Sequence, residues 1–244
     1  MEKGSKVTKK KYSRIMLKLS GEMLGGEDKG GINTKAIELV AGEIAMLHKE
    51  SIEVSVVIGG GNIFRGSQAA SFGMERASAD YMGMLATCIN GLALQAVLEN
   101  QHNIHTRVMT AIHMPELAEP YIRRKAVKHL GSKRVVIFAG GTGNPLFTTD
   151  TAASLRAQEI GAEIILKATK VDGIYDKDPQ NFKDAKRYGE LSYLDVISRK
   201  LQVMDATAIT MCMEANLPIM VFKLGEQGSV LAALEDPSLG TIVS

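Results

Sequence analysis

Four glycine-rich stretches carry most of the chemical promise of this 244-residue chain: Ser20-Gly21, residues 59–66 (GGGNIFRG), residues 140–149 (GGTGNPLFTT) and residues 169–179 (TKVDGIYDKDP). Each follows a short apolar run. Glycine is 24 of 244 residues, about a tenth against a usual ~7%, and it concentrates at these places. Small residues in succession let backbone N–H groups approach phosphate oxygens, and a helix N-terminus that follows adds a favourable dipole. Three cations sit beside them: Lys18 two residues before Ser20, Arg65 near the end of the second stretch, and Lys167 two residues before Thr169. Cations at phosphate-binding loops can neutralise a phosphoryl group in transfer, a reaction in which positioning and electrostatics supply nearly all the catalysis. The competing reading is that Lys18 and Lys167 only extend their ammoniums from strand ends. Asp150 either caps a helix or orients these lysines. Asp80, at the head of another helix, either caps it or accepts hydrogen bonds from ribose hydroxyls.

Other chemistries find less support. No GxxxxGK[ST] occurs, and neither Gly59-x-Gly61 nor Gly141-x-Gly143 has the third glycine of a dinucleotide fingerprint. His102 and His105, spaced HxxH at a helix-to-strand turn, read as surface residues and not as a metal pair. No GxSxG surrounds Ser20, and neither Cys88 nor Cys212 has an activating neighbour. Direct transfer therefore fits better than a covalent intermediate.

The elements that must position these residues alternate. Buried strands are expected at 14–20, 54–58, 104–109, 134–139, 162–167 and 218–222, and helices at 33–51, 77–100, 120–130, 149–160 and 205–216. Apolar strands separated by helices imply a mostly parallel sheet covered on both faces. The four glycine stretches then follow the carboxyl ends of strands, where open α/β sheets bind ligands, and should meet in one crevice. The helix at 77–100 has two apolar stripes, one through Met82, Leu85, Ile89 and Leu92 and one through Met84, Cys88, Gly91, Leu94 and Leu98.

Composition sets the outer bounds. Apolar residues make 45% and charged residues 23% of the chain, ordinary globular values that exclude a disordered chain or a disulfide scaffold. The net charge of +2 conceals an uneven distribution. Residues 1–14 carry six cations against Glu2, a local +5, which leaves −3 on the remainder. No repeat or linker divides the chain, so a basic, disordered arm at 1–11 and a single domain at 12–244 are expected. Two distant cysteines and no continuous apolar run of ~18 residues point to the cytoplasm.

Taken together and in order, the stretches KLSGE from Lys18, VVIGGGNIFRG from Val56, GTGNPLFTTD from Gly141, LKATKVDGIYDKDP from Leu166 and LQVMDATA from Leu201 resemble those of the bacterial UMP kinases (uridylate kinases), a branch of the amino acid kinase family. The resemblance runs from about Tyr12 to Ser244. It implies a three-layer α/β/α sandwich and transfer of the ATP γ-phosphoryl group to UMP, giving UDP and ADP in pyrimidine nucleotide biosynthesis. It assigns Lys18, Leu19, Ser20, Gly21, Gly61 and Arg65 to ATP phosphates, and Thr169, Tyr175 and Asp178 to the adenine and ribose end. UMP falls to Gly60, Asp80, Thr142, Gly143, Asn144, Pro145, Leu146, Phe147, Thr148 and Thr149. Lys18 and Lys167 would stabilise transition-state charge with Asp150 arranging them, and Asp205 is a weaker candidate. Mg²⁺ would arrive with ATP, since no carboxylate cage is legible.

The same resemblance implies a homohexamer built from dimers, for which the helix at 77–100, with small residues Ala86, Thr87, Gly91 and Ala93, is a candidate contact. It also implies GTP and UTP as effectors, with two departures. Gln95 and Glu99 stand where basic residues are common, although Arg107 is kept, which puts GTP activation in question; and Leu146 replaces a frequent aromatic. Two rivals stay open: a related kinase acting on a carboxylate or carbamate, and a nucleotide-responsive regulator that binds nucleic acid through its basic arm.

Overall fold

The computed structural model describes residues 12–26, 30–66 and 73–244; the basic arm expected at 1–11 lies outside them. Nine described strands form one sheet in the order β4-β3-β5-β2-β1-β6-β8-β9-β7. These are β1 (Arg14–Leu19), β2 (Glu53–Ile58), β3 (Thr106–Thr110), β4 (Glu119–Pro120), β5 (Val135–Ala139), β6 (Ile164–Thr169), β7 (Glu190–Leu191), β8 (Ile219–Lys223) and β9 (Gly240–Val243). All neighbours pair in parallel except β8 with β9.

Alternation along each strand sends residues to two cores. Ile15, Leu17, Val54, Val56, Ile137 and Leu166 join one, while Met16, Val57, Phe138 and Ile165 join the other. The first core is covered by α2 (Thr34–Lys49) and α3 (Arg76–His102), preceded in the chain by the short α1 (Glu22–Gly25). The second is covered by α4 (Arg123–Gly131), α5 (Thr149–Ile160), α6 (Tyr193–Ser198) and α7 (Ala206–Glu214), and α8 (Ser229–Glu235) returns to the first face. This is the three-layer α/β/α arrangement with a mostly parallel sheet.

Several boundaries move for physical reasons. The strand expected at 162–167 is β6, because Glu163 N–H still bonds the Arg14 carbonyl outside the ladder; Lys167 therefore lies inside the strand, not at its end. The helix expected at 120–130 begins three residues later. Glu119 and Pro120 pair with β3 and Tyr121 N–H continues to Thr110 O, an edge position that a proline, lacking its own N–H, can occupy. Asp205 lies just before α7 and caps it, accepting from Ala208 N at 3.0 Å. Asn33 caps α2 in the same way.

The helix expected at 77–100 is longer, so Asp80 lies within the first turns of α3 and does not cap it. Its two apolar stripes part company: Met84, Cys88, Gly91, Leu94 and Leu98 are buried on the sheet, while Tyr81, Met82, Leu85 and Ile89 are exposed. Of the small residues on this helix, Ala86, Thr87 and Gly91 are buried in the chain's own core and Ala93 is half-buried. By length and composition α3 could cross a membrane, but its buried face packs on the sheet as a core helix does.

Candidate active site

β5, β2, β1 and β6 are consecutive in the sheet and parallel, so the four glycine-rich stretches that follow them emerge side by side at one edge. At that edge Lys18 and Lys167 are register partners in the β1–β6 ladder. Both project to the face covered by α5, whose first turn carries Asp150. Lys18 Nζ lies 2.5 Å from Asp150 Oδ1, and Lys167 Nζ donates to Asp150 Oδ2 at 2.7 Å. The two readings of Asp150 are thereby separated. Thr148, not Asp150, caps α5, its Oγ1 accepting from the N–H groups of Asp150 and Thr151 at 3.0 and 3.2 Å. Asp150 bridges the lysines.

Burial pushes the Asp150 carboxyl up, but the two ammoniums outweigh it and hold its pKa below the ordinary value. Burial likewise lowers Lys167, which the charge of Lys18 lowers further and that of Asp150 partly restores. Two cations share one anion here, and the Asp205 carboxylate is close enough to favour the charged form of Lys167 as well. Asp205 supports this group at one remove: it accepts from Thr148 Oγ1 and, at 2.9 Å, from Thr151 Oγ1 while capping α7. Lys167 also donates to the Val203 carbonyl, which ties the segment before α7 to the lysines.

Beside this group lies a cavity of about 140 Å³, bounded by Gly60, Gly61, Phe64, Asp80, Phe147 and Thr149 among others. The second and third glycine stretches thus meet, as their positions in sequence imply. A Cβ on Gly60 would come within 2.7 Å of Ala86 Cβ and Gly83 O, so close packing on α3 demands glycine there. At Gly61 the nearest atom would be Glu22 Cγ at 4.0 Å, so the protein itself leaves room for a side chain. An open glycine Cα lets a phosphate approach the backbone there without meeting a side chain.

Leu146 adopts φ 74° and is 63% exposed, a left-handed conformation that costs a leucine of order 1 kcal/mol. Its N–H is held by Asp80 Oδ2 at 2.7 Å, so the Asp80 carboxylate fixes the third stretch from α3. Thr142 Oγ1 bonds both the N–H and the carbonyl of Asn144 across Gly143, closing a tight turn before Pro145. Arg65 donates from Nε to the Gly61 carbonyl and pairs through NH2 with Glu22, which also accepts from Lys170. Glu22 thereby links the first, second and fourth stretches, and these bonds hold its carboxyl below the ordinary value, that with Lys170 first.

The fourth stretch stands apart from the cavity. Thr169 Oγ1 bonds within its own turn to Val171, Tyr175 donates its hydroxyl to Asp172 Oδ1 at 2.6 Å, and Asp178 accepts from Gln180 N and Asn181 Nδ2. Leu19 and Ser20 end β1 and open the turn to α1, with Ser20 Oγ accepting from Glu22 N. Three contributors escape a reading of the loops alone. Thr87 Oγ1 accepts from Gly140 N at 2.8 Å, Asn62 and Asn90 bind each other, and Asn90 also donates to the Gly59 carbonyl. The one signal of Thr87 and Asn90 in sequence is a polar residue beside the apolar stripe of α3, whereas Asn62 lies within the second glycine stretch itself.

Residues 13–223 match the amino acid kinase family. The chain is 58% identical over 217 residues to a uridylate kinase of Roseobacter denitrificans (strain ATCC 33942 / OCh 114), covering 89% of each. Its fold is similar to that of the UMP kinase of Bacillus anthracis, with a TM-score of 0.92, 43% identity and 96% of each chain covered. It is also similar to the UMP kinase of Ureaplasma parvum, with a TM-score of 0.90, 40% identity, and 96% of this chain and 99% of that one covered.

Proposed function

Because the chain belongs to the amino acid kinase family, we propose, from its site and its relatives, that it transfers the ATP γ-phosphoryl group to UMP. A UMP phosphate oxygen attacks the γ-phosphorus, the bond to the β–γ bridging oxygen breaks, and ADP and UDP leave. The observation that carries this reading is the Lys18–Asp150–Lys167 group, register-matched at the edge where the glycine loops emerge. Two ammoniums held in a fixed array can stabilise charge on a phosphoryl group without reorganising. No nucleophile on the chain is needed.

The division of the site follows from what each part offers. Gly61, Arg65 and the turn Leu19-Ser20-Gly21 would receive the ATP phosphates. Gly60, Asp80 and residues 142–149 would enclose UMP around the cavity, and Thr169, Tyr175 and Asp178 would line the adenine and ribose end. Mg²⁺ would enter on the ATP phosphates, since both oxygens of Asp150 are already taken by ammoniums; bound there, it would screen phosphate charge.

The wider setting is read from the same family. We place the enzyme in the cytoplasm, in pyrimidine nucleotide biosynthesis, as one domain over 12–244 and as a hexamer built from dimers. The exposed stripe Tyr81, Met82, Leu85 and Ile89 of α3 supports a subunit contact on that face. For effectors, Arg107 lies 3.4 Å from Glu99 and 3.5 Å from Glu119. A triphosphate there would meet two carboxylates, which opposes activation by GTP and leaves UTP as the inhibitor to test.

A coupled assay with MgATP and UMP, CMP, AMP, aspartate or carbamate tests the reaction. Turnover of UMP above the rest is expected, and turnover of an amino acid but not UMP would overturn the reading. UMP titrations with and without GTP and UTP test the effectors.

A further inference from the structure

Asn62, at 5% exposure, and Asn90, at 0%, form a reciprocal amide pair behind the second glycine stretch. Asn62 Nδ2 donates to Asn90 Oδ1 at 3.0 Å, and Asn90 Nδ2 donates to Asn62 Oδ1 at 2.8 Å. Each amide has a second hydrogen to give. That of Asn90 goes to the Gly59 carbonyl at 2.8 Å, and that of Asn62 to the Gly31 carbonyl at 2.7 Å. All four N–H donors are satisfied in a dry setting, where a polar group without a partner is costly and a fully connected one is rigid.

The placement is what gives the pair meaning. Asn90 stands on the buried face of α3, which apart from Thr87 is otherwise lined by apolar and small residues. Asn62 directly follows Gly61, whose Cα has open space on its side-chain side while its nitrogen packs closely against Gly21. The carbonyl that Asn90 holds belongs to Gly59, two residues before Gly61. The turn is therefore gripped on both sides of the position where an anion would approach, and neither grip uses a group the anion would touch. Gly60 between them is held separately, by contact with Ala86 and Gly83.

We infer that Asn62 and Asn90 are positioning residues that fix the Gly59–Gly61 turn, and so the backbone amide of Gly61, for the phosphates of ATP. The inference rests on the reading of this turn as the ATP phosphate loop. An amide displaced by a few tenths of an ångström still leaves a folded protein, but it no longer meets charge developing on the transferring group. Loss of either partner should therefore damage the ATP side of the reaction more than UMP binding.

The test uses Asn62→Ala, Asn90→Ala and the double variant of the full chain, with Asn62→Ser and Asn90→Ser in reserve should the alanines not fold. Each is measured for melting temperature, kcat, KM for ATP, and Kd for UMP alone by calorimetry. Expected is a fall of at least tenfold in kcat/KM for ATP with the UMP Kd within about twofold. The double variant should lose no more than the worse single, because the pair acts as one unit. A fall in melting temperature with unaltered kinetic constants, or equal losses toward both nucleotides, overturns the inference. Gly61→Ala separates this from the underlying reading. If it leaves KM for ATP unchanged, the turn is not the phosphate loop and both statements fall; if it raises KM while the asparagine variants do not, only the positioning role falls.

Discussion

Lys18 of β1 and Lys167 of β6 stand opposite each other in a parallel ladder, one buried and one half-buried ammonium on neighbouring strands. Adjacent strands lie ~4.8 Å apart, so the like charges cannot diverge far. What makes the arrangement tenable is Asp150, which meets one lysine with each oxygen.

Asp150→Ala should accordingly be costly twice over. Removing the shared anion leaves two cations facing each other, one buried and one half-buried, and breaking a buried pair costs about 3–5 kcal/mol, an upper bound for this partly exposed group. Urea melts should show that loss, and turnover should fall with it, because the lysines lose the partner that aims them. Full stability in the variant would mean that the lysines reach solvent without it.

Lys18→Ala should lower kcat by more than tenfold while the UMP Kd stays within about twofold, since the ammonium acts on the transferring group and not on the acceptor. Steady-state kinetics beside calorimetric UMP titration checks this. Unaltered turnover would remove Lys18 from the chemistry.

The pH response has two limbs. Asp150 titrates below its ordinary 3.8 in the folded chain, so its contribution to stability is fully present above that value and is lost as pH falls through the folded pKa. The gap in melting temperature between the wild type and Asp150→Asn should shrink under strong acid. Lys167 titrates below its ordinary 10.5, so the folded state releases this proton before the unfolded state does, and activity that needs its charge should decline on the alkaline side below that value. A kcat profile extending unchanged to 10.5 would contradict this.

Gly60→Ala should destabilise the fold by about 1–3 kcal/mol, as overpacking does, because the new methyl group meets Ala86 and Gly83 at 2.7 Å. Thermal melts of Gly60→Ala and Gly61→Ala side by side should separate them, the second melting close to the wild type. Equal melting temperatures at a wild-type level would mean that α3 yields.

Asp80→Ala should raise KM for UMP about tenfold. It frees the N–H of Leu146, a residue already held in a strained left-handed conformation, and so loosens the wall around the cavity. Asp80→Asn, which keeps an acceptor for that N–H, should recover much of the loss. If both variants behave alike, the carboxylate charge matters more than the hydrogen bond.

Much of this was legible from residue types. The apolar runs and glycine stops located the central strands, and Lys18 and Lys167 drew notice because they interrupt such runs. Resemblance assigned the nucleotide residues, but it said nothing of how they are held. The bridging role of Asp150 was open because sequence cannot give the register that brings residues 18 and 167 together from 149 positions apart. Asn90 and Thr87 were unreadable for a related reason: whether a polar residue on a helix faces solvent or a loop backbone depends on which stripe meets the sheet. The stripe through Gly91 won that contact, and Gly91 faces Ile137, Val108 and Ala139 on the sheet. The antiparallel β9 and the two-residue β7 were missed because such short strands carry too little periodicity to read.

The pairing of β1 with β6 also sets a rule for changing this protein. Insertion of one residue into either strand would slide its lysine by ~3.3 Å and turn it to the opposite face, into the layer beneath α2. Any length change must then fall in the connections, however generic the strand letters look. A redesign could exchange Ile15 or Ile165 for another apolar residue and keep its reacting centre, yet lose it by adding a single valine beside either one. The strands serve as rulers whose graduations matter more than their material.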